Sequence, residues 1–211
     1  MLSGLPHKGD LEEGGCAMSN SVNFLIVGVG GQGTILVSDI LSEVGMLSGL
    51  DAKKSDIMGL AIRGGSVSSH VRWAKRVGSP MNMIGTVDYL MASEPLEALR
   101  ATEYLKKEST VIYNEYPLQP MLVSTGKAEY PDNDTINEML SKVSTKVIHY
   151  DATKKAQEIG NVKVMNIVLL GTLSKMFPEI GPDVWETAIR NHVPSKLQEL
   201  NIKAFHVGRE M

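Results

Sequence analysis

Two hydrophobic periods run along this chain, and the points where one gives way to the other mark its elements. Residues 23–27 are mostly apolar and β-prone, as expected of a strand buried on both faces. Over residues 34–48 the apolar positions Ile35, Leu36, Val37, Ile40, Leu41, Val44 and Leu47 recur at helical spacing, and Gly49 stands where a glycine C-cap belongs. Residues 51–55 read as a short, partly polar strand near a sheet edge. Residues 56–66 follow neither period. Residues 66–73 then alternate strictly, with Val67, Ser69, Val71 and Trp73 on one side and Ser66, Ser68, His70 and Arg72 on the other. That pattern predicts a half-exposed strand, antiparallel to its neighbours and packed at one face only.

Further along, residues 86–92 form a buried strand, Ser93-Glu94-Pro95 starts a helix running to about Tyr104, and residues 110–114 return to strand. Asp132-Asn133-Asp134 caps a helix holding Ile136, Met139 and Leu140, and residues 147–150 are the last strand. The C-terminal third is helical at 151–159, 164–176, 182–192 and 195–205, with the third-to-last helix apolar over most of its surface and therefore central. This order predicts an α/β fold: Rossmann-like and doubly wound, a mostly parallel sheet with helices on both faces and a helical C-terminal part. Residues 21–211 read as one domain. Residues 1–20 have neither periodicity nor the apolar core of a signal peptide, and read as a disordered leader with Met18 as a candidate start.

Composition narrows the chemistry. With 211 residues, 43% hydrophobic, 21% charged and a formal net charge of -3, the chain has enough material for one sizeable core and no basic excess for nucleic acid. No apolar run reaches the length of a membrane span. The single cysteine, Cys16, excludes an internal disulfide and a cluster ligated by this chain alone. The five histidines show no metal-ligand spacing, so no metal site is expected. Low cysteine content and no export signal make the cytoplasm the expected compartment.

The candidate chemistry lies where the first strand ends: Gly28-Val29-Gly30-Gly31-Gln32-Gly33-Thr34 places a glycine turn between strand and helix. Gly28 would permit the tight turn, Gly30 the approach of a backbone or ligand, and Gly33 close packing of helix on strand. Gly31 and the amide of Gln32 would leave N–H groups at a helix N-terminus, where a phosphate or carboxylate is favoured. Pure packing accounts for the same glycines equally well. An NAD site would bring an acid near the end of the second strand, and Asp56, preceded by Lys53 and Lys54, fits that poorly. Asp56 and Glu94 stand at strand ends as ligand contacts or helix caps, and the cap is favoured for Glu94 because Pro95 follows it.

Taken together, Gly28-Val-Gly-Gly-Gln-Gly33, Ser55-Asp56-x-x-Gly59-x-x-x-Arg63-Gly64-Gly65-Ser66-Val67 and Ser69-His70-Val71-Arg72 resemble the gamma-type domain of 2-oxoacid:ferredoxin oxidoreductases. The likeness extends from about Asn23 to the end and leans to the indolepyruvate branch, whose small subunit is called beta. It implies a non-redox subunit of an enzyme that converts an arylpyruvate, coenzyme A and oxidised ferredoxin to an arylacetyl-CoA, carbon dioxide and reduced ferredoxin. Thiamine diphosphate and iron–sulfur clusters would belong to a large alpha subunit, reached by ferredoxin within the complex. Coenzyme A would be a co-substrate, and this chain would bind no cofactor alone. Homodimerisation of the isolated chain stays open.

On that reading Gly28, Gly30, Gly31, Gln32, Gly33, Arg63, Gly64, Gly65 and Ser66 are the candidate binding residues. Arg63 can grip a carboxylate or phosphate bidentately, or serve structurally on loop carbonyls or a partner carboxylate. His70 is expected to face solvent or an interface rather than act as an acid or base. No residue has the context of an activated nucleophile, so no catalytic residue is assigned. The alternatives are a gamma subunit of a pyruvate, 2-oxoisovalerate or 2-oxoglutarate enzyme, and a free-standing nucleotide-binding protein.

Overall fold

A computed structural model describes residues 21–59, 64–119, 123, 125–126 and 129–211. The leader and Arg63 lie outside the described residues, so the expectations on both fall outside them too. The strands β1 (Val22–Val29), β2 (Asp51–Met58), β3 (Ser66–Ala74), β4 (Val87–Ala92), β5 (Leu105–Asn114) and β6 (Lys146–Tyr150) form a six-stranded sheet in the order β2-β3-β1-β4-β5-β6. β3 runs antiparallel to β1 and β2, while β1, β4, β5 and β6 are mutually parallel. The fold is thus the expected α/β arrangement, with β2 at the sheet edge as its polar sequence implied.

Alternate residues of the central strands feed two cores. Phe24, Ile26, Met91 and Ile112 pack under α1 (Thr34–Leu47) and the C-terminal helices, among them α5 (Met165–Ser174), α6 (Pro182–His192) and α7 (Gln198–Glu210). Leu25, Val27, Leu90, Val111 and Tyr113 pack on the other face under α2 (Pro95–Arg100) and α3 (Asn133–Val143). The helix preceding α5, α4 (Ala152–Ile159), adds Ala152 and Ala156 to the first core. Every residue of α5 is buried, which fits a sequence that is apolar over most of its surface.

Three strand ends in particular differ from the sequence reading, each for a physical reason. β1 continues through Gly28 and Val29 because β3 pairs with both, so Gly28 lies in the strand and does not make the turn. β2 runs to Met58, which places Asp56 inside a strand. β5 begins at Leu105 although residues 106–109 are polar: the register with β4 shifts there, Ser109 Oγ donates to Val87 O at 2.7 Å, and Lys106 pairs with Asp88.

α5 and α7 touch backbone to backbone. A Cβ on Gly208 would lie 1.9 Å from Val168 O, and one on Gly171 would lie 2.1 Å from Phe205 O. Rigid helix carbonyls cannot yield as a flexible side-chain tip can. Gly208→Ala should therefore destabilise the fold by about 3 kcal/mol. Urea unfolding measures this directly, and a midpoint equal to wild type would contradict the close helix contact.

Candidate functional site

The crossover from β1 passes through α1 to one face of the sheet, and that from β4 passes through α2 to the other. β1 and β4 are neighbours and parallel, so their carboxyl ends form a topological switch point, where open α/β sheets bind ligands. The glycine stretch lies there. Gly30 does meet another backbone: its N–H donates to Gly65 O at 2.8 Å, and Gly64 N–H returns to Gly30 O at 3.4 Å. The two glycine stretches, far apart in sequence, thus extend the β1–β3 ladder and come together. Gly31 (φ 104), Gly33 (φ 79) and Gly64 (φ 78) take left-handed conformations that favour glycine.

The other glycines serve close approaches. A Cβ on Gly28 would lie 2.9 Å from Thr34 Oγ1, 3.0 Å from Gln32 Oε1 and 3.1 Å from Ser93 Cβ. One on Gly33 would lie 2.3 Å from Nδ2 of Asn166, in the first turn of α5. Gly33 therefore makes room for a helix from the far end of the chain, not for β1. Asn166 was legible as the one amide in an apolar helical run, yet its partner was not.

The expected row of exposed amides is shorter than the sequence implied. Gly30 N–H is taken by Gly65, and Gln32 N–H turns back to Val29 O at 3.0 Å. The Gln32 side chain is also engaged: Oε1 accepts from Val29 N–H at 2.8 Å and Nε2 donates to Ser93 O at 3.3 Å. What remains is the first turn of α1, which has no side-chain cap. It faces a cleft of about 320 Å³ lined by Val29, Gly30, Gly31, Gly33, Thr34, Ile35, Met58 and Val67. Glycine backbone and apolar side chains make up most of that lining, with the helix N-terminus at one side, so an anionic group bearing an apolar arm suits it.

Ser66 is at the site, but its hydroxyl is spoken for: Oγ donates to Glu97 Oε2 at 2.5 Å, and Arg100 pairs with the same carboxylate. Glu94 is the α2 cap expected of it, accepting from Glu97 N–H at 3.0 Å, and is 1% exposed. It also accepts from Leu118 N–H at 3.2 Å and from Tyr130 OH, and burial together with this carboxylate raises the Tyr130 pKa well above its ordinary value. These bonds tie the segments after β4 and β5 to the second glycine stretch.

Asp56 is neither cap nor ribose ligand. Its carboxylate lies 2.7 Å from Lys54 Nζ and accepts from Ser69 Oγ at 2.6 Å, and Lys54 also reaches Asp39 in α1 at 2.6 Å. Partial burial opposes ionisation of Asp56, but the Lys54 and Ser69 bonds outweigh it and its pKa falls. This network pins α1 to β2 beneath the cleft.

His70 is corrected by the structure: it is 1% exposed rather than facing solvent. The ring accepts Asn82 N–H at Nδ1 over 3.2 Å and meets Tyr104 edge-on, while Asn82 Nδ2 donates to Phe24 O at 2.7 Å. The alternating pattern recorded a polar side chain and missed the loop that folds over it.

Across residues 23–211 the chain matches the model of a family described as pyruvate ferredoxin/flavodoxin oxidoreductase. It is 38% identical over 188 residues to the indolepyruvate oxidoreductase subunit IorB of Archaeoglobus fulgidus, covering 89% of this chain and 93% of that one. It is 30% identical over 192 residues to the 2-oxoglutarate synthase subunit KorC of Methanothermobacter marburgensis, covering 88% and 94%. A crystal structure of a keto/oxoacid ferredoxin oxidoreductase gamma subunit from Geobacter sulfurreducens matches with a TM-score of 0.66 over 90% of this chain and 96% of that one. At 24% identity this last likeness concerns the fold alone.

Two outcomes follow from this geometry. Gly33→Ala combines a left-handed backbone with the Asn166 collision and should cost about 2–4 kcal/mol, whereas Gly31→Ala, with open space around its Cβ, should cost only about 1 kcal/mol. Equal losses in thermal or urea unfolding would refute that ordering. The second concerns pH. Burial holds the His70 pKa below its ordinary 6.5, so in the window between the two values the unfolded chain takes up a proton that the folded chain refuses. Stability should fall as pH drops from about 7 to 5.5, and His70→Gln should flatten that fall. Parallel curves for the two proteins would remove His70 as its source.

Proposed function

The chain belongs to the pyruvate ferredoxin/flavodoxin oxidoreductase family, and we propose that within it the chain is the small, non-redox subunit of an indolepyruvate (arylpyruvate):ferredoxin oxidoreductase. The observation that carries this reading is the 38% identity, over 89% of this chain and 93% of the relative, to a protein named as a subunit of that enzyme. The reaction is an oxidative decarboxylation: the 2-oxo acid loses carbon dioxide, its acyl group passes to the coenzyme A thiol, and two electrons pass to two ferredoxins. Thiamine diphosphate and iron–sulfur clusters, which supply the carbanion and electron-transfer chemistry when bound, fall to a large partner subunit in this proposal. One cysteine in the whole chain cannot furnish the thiolates of a cluster.

Residues 21–211 act in this reading as one gamma-type domain, and the cytoplasm is its compartment. Its part in the reaction is to bind and orient. The joined glycine stretches Gly28–Gly33 and Gly64–Ser66 hold a phosphate end of coenzyme A against the first turn of α1, with the pantetheine arm along the apolar wall of Ile35, Met58 and Val67. Arg63, in the segment between β2 and β3, adds a bidentate grip on the same anion.

The test is to co-express the chain with its large subunit and follow viologen reduction with indolepyruvate, pyruvate, 2-oxoisovalerate and 2-oxoglutarate. The complex should prefer arylpyruvates, and the isolated chain should be colourless and inactive. Arg63→Ala should raise the KM for coenzyme A about tenfold or more at unchanged melting temperature, with Arg63→Lys restoring only part. A preference for 2-oxoglutarate moves the chain to the branch of its 30% identical relative, and a flavin bound to the isolated chain revives the free-standing nucleotide-binding reading.

A further inference from the structure

β2 is an open edge of the sheet. Along one side it pairs with β3 in an unbroken register, from Asp51 opposite Ala74 to Met58 opposite Val67, and along the other it has no strand partner among the described residues. Such an edge presents a row of unpaired backbone N–H and C=O groups. Natural sheets blunt their edges with prolines, bulges, short strands or lysines. β2 has neither proline nor bulge. It holds Lys53 and Lys54, but both ammonium groups are engaged within the chain. Lys54 Nζ lies 2.6 Å from Asp39 and 2.7 Å from Asp56, and Lys53 Nζ donates to Val77 O at 2.6 Å. The opposite edge strand, β6, has five residues and no exposed large apolar side chain, whereas β2 ends in Ile57 at 47% exposure and Met58 at 60%.

The sequence of β2 is complementary to itself. Residues directly opposite in an antiparallel pair share a face, so a two-fold axis between two copies of one strand passes between copies of one residue. An axis at Lys53, Lys54 or Asp56 sets like charges opposite each other, which is unfavourable. An axis at Ala52 or Ile57 leaves only residues 51–53 or 56–58 paired. An axis at Ser55 pairs residues 52–58 throughout. Lys54 then faces Asp56 of the second copy on both sides of the axis, the Lys53 stem lies along Ile57, and small Ala52 makes room for Met58. The register with β3 and β1 places Lys53, Ser55 and Ile57 on the same face as Leu25 and Val27. Among the described residues, none of β2 or β3 belongs to the hydrophobic core on that face.

We propose that the β2 edge is an interface with a second copy of this chain, in which the two β2 strands pair antiparallel about a two-fold axis at Ser55 and join two six-stranded sheets into one. The pairing satisfies the edge N–H and C=O groups and covers Ile57 and Met58. It also extends the Lys54 network across the axis, so that positive and negative charges alternate from one copy to the next. The interface is independent of the proposed reaction, because none of its contacts involves the glycine turn or coenzyme A.

The experiment combines sedimentation velocity of the full chain over a concentration series with disulfide trapping in a Cys16→Ser background. The wild-type chain should sediment as a concentration-dependent dimer. Ser55→Cys, opposite itself at the axis with Cβ atoms about 5 Å apart, should cross-link on mild oxidation. Ile57→Cys, which faces Lys53 of the second copy, should not. Ser55→Lys sets like charges on the axis and Ile57→Lys sets lysine against Lys53, so each should raise the dimer Kd about tenfold or more at unchanged melting temperature. Met139→Lys makes the same change on α3, at an apolar residue of 48% exposure, and should leave the Kd as it is. A monomer at every concentration overturns the proposal. So does a dimer that both β2 lysine variants leave intact or that Ser55→Cys does not trap. Protection of the β2 amides from hydrogen exchange that arises only with a co-expressed large subunit also overturns it, and assigns the edge to that subunit.

Discussion

Gly33 can carry nothing larger than a hydrogen, because Asn166 occupies the space where its side chain would be. Asn166 Nδ2 donates to Gly33 O at 3.1 Å while its Oδ1 accepts Ile167 N–H at 3.0 Å, so one buried amide serves the starts of two helices. Through that contact the N-terminus of α5 is seated on the N-terminus of α1. α5 is in turn held by α7 across Gly171 and Gly208, where the helices touch through their backbones. The C-terminal third contributes no candidate binding residue of its own, yet it sets where the glycine turn stands. A loop of this composition would sample many conformations if left to itself. Fixed from below by a packed helical layer, it loses less freedom when a ligand arrives.

The other borders of the site are fixed by separate means. Lys54 joins Asp39 of α1 to Asp56 of β2, with burial working against its charge and the two carboxylates outweighing it. Glu97 holds Ser66, and Gly65 holds Gly30. These restraints act on three different elements around the same cleft, and none of them uses the α1 first-turn N–H groups or the Gly31 surface. Structural demand and binding capacity are thereby divided among neighbouring atoms. The charged residues near the cleft stabilise its walls, while glycine backbone and the first turn of α1 line the cleft itself. That division explains why Asp56, which the sequence left open as a ligand contact or a helix cap, is a strut.

Much of the fold was legible because it depends on periodicity. The strict alternation of residues 66–73 gave both the strand and its antiparallel sense, and the dense apolar positions from Val164 to Leu173 gave a central helix. What escaped were features set by a distant partner. Residues 105–109 join β5 because Ser109 and Lys106 find acceptors in β4, a fact that no local pattern of Leu-Lys-Lys-Glu-Ser contains. His70 looked solvent-facing because strand alternation cannot register a loop that folds back to give it Asn82. For the site, glycine spacing located the loop but misassigned two of its glycines. Gly28 reads as a turn residue until Thr34, Gln32 and Ser93 are seen converging on it, and Gly33 reads as a strand contact until Asn166 is seen above it.

The placement of the cleft bears on what the proposed non-redox subunit can contribute. Under the proposed function, the phosphate end of coenzyme A at the glycine loop would lie, along that molecule, far from the thiol that takes the acyl group. Binding energy gained there acts on the reaction only if it is converted into position, by holding the thiol where a second subunit needs it. Such conversion requires a rigid anchor, since a loop that yielded would let the thiol drift and forfeit the gain. The Asn166 contact, the Lys54 network and the Gly30–Gly65 pairing make the anchor rigid from three sides. His70, Asp56, Glu94 and Glu97 are committed to the same end: each holds a bond to a neighbouring element or helix start, so their polar atoms serve to fix the walls of the cleft.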